Sequence, residues 1–177
     1  KKMKISIILK LLPILLLNSL YADTGTLTRI IDGDTIKFGA TTCRLANIDT
    51  PEKARNSRLE KVLDNCNGIT MERMIDAGTI SSKFINEILV VGNQYNYDVV
   101  TKDKYERSVC NVWIDRKTTV NQLMVRNGYA VPFFSFIKDD DLALYKKELA
   151  YAKRTNSGLF KSYKPIMDCM IKNLSTH

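Results

Sequence analysis

Thr35-Ile36-Lys37-Phe38-Gly39-Ala40-Thr41-Thr42-Cys43-Arg44-Leu45-Ala46-Asn47-Ile48 reads as two β-rich runs flanking a Gly39-Ala40 turn, and it continues into Asp49-Thr50-Pro51-Glu52. Apolar and β-branched residues bounded by turn residues mark a hairpin. The pattern extends on both sides. Upstream, Thr24, Thr26 and Thr28 alternate along Thr24–Ile31; downstream, Tyr95, Tyr97 and Val99 alternate, and Val109–Ile114 is a β-rich run holding the only tryptophan, Trp113. Five strands suit a small closed or partly open barrel.

Helices fill the remainder, so the expected class is α+β: a five-stranded β-barrel with about three packed helices. Ile80, Phe84, Ile85, Ile88 and Leu89 recur at helical spacing after a Gly78-Thr79 boundary. A second helix, about Val120–Asn127, follows Thr118-Thr119 and stops at Gly128, a good residue just past a helix end. In the third, Asp139-Asp140-Asp141 suits the positive N-terminal end and Lys153-Arg154 the negative C-terminal end. Its stripe of Leu142, Tyr145, Leu149 and Ala152 is expected to pack against the barrel.

The chain has 177 residues, 45% hydrophobic and 26% charged, a mixture that buries a core and excludes disorder, collagen-like repeats and a multi-span membrane protein. One domain fits this length. The single histidine is His177. Ser-His-Asp and Cys-His catalysis, HExxH zinc sites and other His-dependent metal sites are therefore excluded.

Lys1, Lys2 and Lys4, the apolar Ile5–Leu17 and the small Ala22 together read as a cleaved export signal over residues 1–22, an uncleaved anchor being the alternative. Its removal takes four lysines and no acids from a formal charge of +8, leaving +4. The expected divisions are a signal peptide at 1–22, a barrel domain at 23–163 and a C-terminal tail at 164–177, tied by a disulfide at Cys169. A secreted or periplasmic location makes Cys43, Cys66, Cys110 and Cys169 candidates for two disulfides. Three connectivities are open; Cys43 and Cys110 fall on separate strands, and the expected pairs are Cys43–Cys110 and Cys66–Cys169.

Three clusters carry candidate chemistry. Ile31-Asp32-Gly33-Asp34-Thr35 alone is an ordinary Asp-Gly turn. In Arg44…Asp49-Thr50-Pro51-Glu52, Thr50 as cap and Pro51 as first residue would start a helix, which leaves Arg44 and Asp49 unexplained. Lys102-Asp103-Lys104-Tyr105-Glu106-Arg107 alone is a solvated charged loop. Together they suit phosphodiester hydrolysis, which needs cations on the phosphate, a base for water and commonly a metal. Arg44 and Arg107 can clamp two phosphate oxygens each, Asp34 and Asp49 are hard ligands for a divalent cation, and Glu52 remains as the base.

These residues resemble the thermonuclease family, the staphylococcal-nuclease-like domains. The resemblance continues through Val120-Asn121, Arg126-Asn127-Gly128 and Ala150…Gly158-Leu159-Phe160, covering about residues 24–161. It implies an OB-type five-stranded barrel and Ca²⁺-dependent hydrolysis of DNA and RNA that leaves 3′-phosphate ends, with single strands preferred. It also implies that Asp34, Asp49 and the Thr50 carbonyl hold Ca²⁺, Glu52 activates water, and Arg44 binds the scissile phosphate. Arg107 stabilises the transition state and leaving side, Lys104 and Tyr105 contact a neighbouring phosphate, and Asp32 supports the metal indirectly.

Three departures qualify the match. Phe134 and Phe136 stand where the best-known members place tyrosines; the rings can stack on a base but lose the hydroxyl hydrogen bonds. Glu106 stands where the family usually has glycine. Lys53–Thr79 is longer than the usual connection and reads as a helical insertion stapled through Cys66 that could shape substrate access. The leading expectation is an exported monomeric nuclease with no stable membrane partner. The alternatives are a non-catalytic binding module for nucleic acid or protein on the same fold, and a cell-envelope protein retained by its leader.

Overall fold

The computed structural model describes residues 23–174; the expected signal peptide at 1–22 and the histidine at position 177 lie outside them. Strand β1 (Asp23–Ile30) pairs antiparallel with β2 (Thr35–Phe38), which turns through Gly39-Ala40 into β3 (Thr41–Leu45). A short β4 (Ile48–Asp49) follows, then α1 (Ser57–Asp64) and α2 (Met71–Ile88). Next come β5 (Gln94–Lys102) and β6 (Ser108–Trp113), α3 (Val120–Arg126), and β7 (Val131–Pro132), which pairs with β4. A single 3₁₀ turn at Phe134–Phe136 leads into α4 (Asp139–Arg154), α5 (Leu159–Ser162) and α6 (Lys164–Leu174).

The five longer strands close into a barrel in the order β1-β2-β3-β6-β5, with β3 and β6 parallel and the other pairs antiparallel. Closure leaves no open sheet edge. Alternation along the strands turns Leu27, Ile36, Cys43, Leu45, Cys110 and Val112 into the interior, all essentially without solvent contact. The core continues through Met124, Leu149, Phe160 and Met167 of the helical layer. Both expected disulfides are present: Cys43–Cys110 links the parallel strands inside the barrel, and Cys66–Cys169 links the chain just past α1 to α6. Among the described residues no helix is long and apolar enough to cross a membrane.

Five expectations need correction. Helices number six among the described residues rather than three, α1, α5 and α6 being additional. The segment expected as a tail forms α6, whose Ile166, Met167 and Met170 are buried. Residues 50–56 are not helical: β4–β7 pairing carries the chain through Asp49 in extended form, and α1 starts only at Ser57, capped by the Asn56 side chain at 2.8 Å from Leu59 N–H. Helix α2 begins at Met71 under a Thr70 cap, so Gly78 lies mid-helix. A Cβ there would stand 2.4 Å from the Glu52 carbonyl carbon, so the missing side chain is what lets the 50–53 backbone lie on the helix. Finally, α4 packs on α3 and β7.

One side chain ties the layers together. The fully buried Asn121 accepts from Val112 N–H at 3.2 Å and donates to the carbonyls of Ala46 at 2.9 Å and Cys110 at 3.0 Å. Asn121→Ala strands buried backbone groups and is expected to cost about 2–4 kcal/mol in urea denaturation. A loss below about 0.5 kcal/mol would deny Asn121 this joining role.

Candidate active site

The β2–β3 hairpin and β4 converge on a buried ion cluster. Arg44 reaches from β3 between two carboxylates, with Nη1 2.7 Å from Asp34 Oδ2 and Nη2 2.8 Å from Asp49 Oδ1. Asp34 precedes β2, and its Oδ1 accepts from Thr35 Oγ1 at 2.9 Å. Asp32 folds back to accept Asp34 N–H at 3.2 Å, beside the metal-candidate acids and outside the arginine fork. Both Asp34 and Asp49 are buried, as is Thr50. Buried acids of this kind persist only when paired and hydrogen-bonded.

Glu52 sits at the edge of this cluster. Its Oε2 accepts from Asn56 Nδ2 at 2.9 Å and its Oε1 lies 3.2 Å from Arg58 Nη1. The other Arg58 nitrogen, Nη2, bonds Asp49 Oδ1, the same oxygen that Arg44 holds. Lys53 donates to the Ile31 carbonyl, fastening the far side of the loop to the Asp32-Gly33 turn. Arg58 and Asn56 are functional candidates that sequence reasoning missed. Their signal was present: Asn56 as a cap followed by Leu59, Val62 and Leu63 at helical spacing marks a helix whose first turn must lie beside Glu52.

The environment separates the acids. Burial would raise Asp34, but the charges of Arg44 and Arg58 outweigh it and hold the carboxyl below its usual range. Burial, aided by the Asp34 charge, pushes Asp32 up to about 6. Burial also raises Asp49 and Glu52, against the opposing pull of Arg58 on both. Glu52 is thus held above its usual range beside the Arg58 guanidinium, the direction of shift that suits a carboxylate proton acceptor.

Arg107 lies in the turn just before β6, two positions ahead of Val109, which pairs with Arg44 across the parallel β3–β6 ladder. Its Nε is 2.7 Å from Asp103 Oδ2, while Asp103 also accepts from the N–H groups of Tyr105 and Arg107. Tyr105 is 68% exposed, with the Lys104 ammonium 5.1 Å and the Arg107 guanidinium 5.5 Å from its ring centre. The two phenylalanines divide. Phe136 is 69% exposed, whereas Phe134 packs against the core; the ring meeting Phe136 edge-on at 4.5 Å is Phe133, whose N–H bonds the Asn47 carbonyl two residues before Asp49.

Asp34 and Asp49, carboxylates from two separate segments meeting on one guanidinium, are oxygen donors of the kind that Ca²⁺ takes. Among the described residues no group of three or more His, Cys, Asp or Glu side chains is gathered to hold a metal. Backbone carbonyl and water must therefore complete any shell here.

Glu106 adopts a left-handed conformation, φ +60°, in the turn that aims Arg107, which is why glycine suits this position. Glu106→Gly is expected to raise stability by about 1 kcal/mol, seen as a higher midpoint in thermal denaturation. A lower midpoint would mean that the exposed Lys102–Glu106 pair, 3.3 Å apart, matters more than the backbone.

A family model described as Staphylococcal nuclease homologue matches residues 42–162, more than half of the chain; Asp32 and Asp34 precede the match and α6 follows it. The chain is 27% identical over 153 residues to Endonuclease YhcR of Bacillus subtilis (strain 168), a match that takes in 81% of this chain but 12% of that protein's length. It is 29% identical over 146 residues to a protein of Escherichia coli O157:H7 named "Uncharacterized endonuclease", covering 80% of each. With the closed barrel and its packed helices, these matches establish that the chain belongs to the staphylococcal nuclease homologue family.

Proposed function

We propose that this protein is an exported, Ca²⁺-dependent nuclease that hydrolyses phosphodiester bonds of DNA and RNA, prefers single strands, acts as a monomer and leaves 3′-phosphate ends. The observation that carries this reading is the buried Asp34–Arg44–Asp49 cluster with Glu52 at its edge. Nuclease activity in general also agrees with the family and with the names of the related endonucleases. Export agrees with the two disulfides, which persist in oxidising compartments.

In this reading Asp34, Asp49 and the Thr50 carbonyl hold the cation, which when bound supplies positive charge to the phosphate. Arg44 offers its fork to the oxygens of the scissile phosphate, and its guanidinium stays charged at any working pH. Glu52 takes the proton from the attacking water, held in place by Asn56. Arg107, oriented by Asp103, meets the charge that develops as the 5′ oxygen leaves. Lys104 and Tyr105 take the adjacent phosphate. Phe136, with Phe133 against it, is the ring available to stack on a base, while Phe134 supports that turn from the core. Asp32 orients Asp34 through its backbone.

The direct test is release of acid-soluble nucleotides from denatured DNA by the oxidised protein, with Ca²⁺ and with a chelator. Ca²⁺-dependent release is expected. No release from folded, disulfide-bonded protein would favour the non-catalytic binding module. Glu52→Gln is expected to lower kcat by roughly 10²–10⁴-fold, the usual contribution of a positioned base, with little change in nucleotide affinity. Unchanged turnover would remove Glu52 from this role.

A further inference from the structure

Arg58 is placed where helix stability alone would not put it. It lies in the first turn of α1, where the aligned backbone dipoles already present positive charge and favour acids. Its guanidinium nevertheless lies beside both Asp49 and Glu52, from opposite ends of the fork. The helix carrying it is not free to drift. Asn56 caps it while holding Glu52, Leu59 is buried beneath it, and Cys66, two residues past its end, is bonded to Cys169 on α6. Arg58 thus enters the ion cluster on a fixed arm, with 43% of its side chain facing solvent.

Arg44 and Arg58 are not equivalent in this cluster. Arg44 bridges Asp34 and Asp49 from within the barrel wall; Arg58 approaches from outside and shares with Arg44 the same Asp49 oxygen. Asp34, Asp49 and Glu52 present three negative charges to these two guanidinium groups. A divalent cation held by Asp34 and Asp49 must share Asp49 with this fork and suffers the repulsion of its charge at contact range. Resting on the nuclease reading for the identity of the cation site, we propose that Arg58 sets the site's cation affinity: it competes with the divalent ion for Asp49, and cation binding must loosen its hold.

Calorimetric titration of Ca²⁺ into the oxidised protein without nucleic acid tests this independently of turnover. Arg58→Gln is expected to lower the Ca²⁺ Kd about tenfold or more, the size associated with removing a close charge partner. Arg58→Lys keeps the charge but loses the planar fork, so its Kd is expected between those of Arg58→Gln and the unchanged protein. Arg55→Gln removes an arginine near the same helix start that pairs with Glu60 instead, 2.9 Å away, and is expected to leave the Kd within about twofold. If Arg58→Gln does not fold, Arg58→Lys carries the test, and a Kd equal to that of the unchanged protein overturns the proposal. A folded Arg58→Gln with equal or weaker Ca²⁺ binding, or Arg55→Gln with the same tightening, also overturns it. Hydrolysis by the unchanged protein with no such tightening would leave the nuclease reading standing alone; tightening without hydrolysis would leave this proposal standing alone.

Discussion

Asp34 and Asp49 are buried carboxylates, and that arrangement depends on Arg44 lying between them, with Arg58 adding a second cation at Asp49. An unpaired buried carboxylate costs several kcal/mol, so the fork of Arg44 is a condition on the fold as well as a candidate phosphate ligand. The pairing constrains three segments at once: the turn before β2, the end of β3, and β4. Strand β4 is only two residues long, and its pairing with β7 holds Asp49 at the required place.

The helices serve this cluster from behind. The absent side chain at Gly78 lets α2 accept the 50–53 backbone, which fixes where Glu52 leaves the barrel. Helix α1 then turns back over Glu52 with Asn56 as its cap and Arg58 in its first turn, and the Cys66–Cys169 bond holds the end of that helix region to α6. The Lys53–Thr79 segment is therefore structural and chemical together: an insertion by length, but one that contributes two contacts to the proposed base. On the opposite flank, the β5–β6 turn delivers Arg107 through a residue in a conformation that favours glycine, a local strain tolerated where a side chain must be aimed.

Sequence periodicity determined a good deal. Threonine and tyrosine alternation placed the strands, the Asp139–Asp141 and Lys153-Arg154 charges bounded α4, and the Asp34, Arg44, Asp49, Glu52 and Arg107 set was nameable because three clusters, each ordinary alone, together suit phosphodiester hydrolysis and resemble one family. These signals are local, written within a few residues of where they act. What only the tertiary structure decided depends on contacts between distant segments. Thr50-Pro51 has the chemistry of a helix start, yet β4–β7 pairing and the seat on Gly78 hold it extended. Phe134 and Phe136 look equivalent in sequence, yet packing buries one ring's face and exposes the other. Arg58 looks like one more solvated arginine, and only the return of α1 over the barrel, tied down through Cys66, brings it to Asp49 and Glu52, because no local pattern encodes which charge a folded chain will bring beside another.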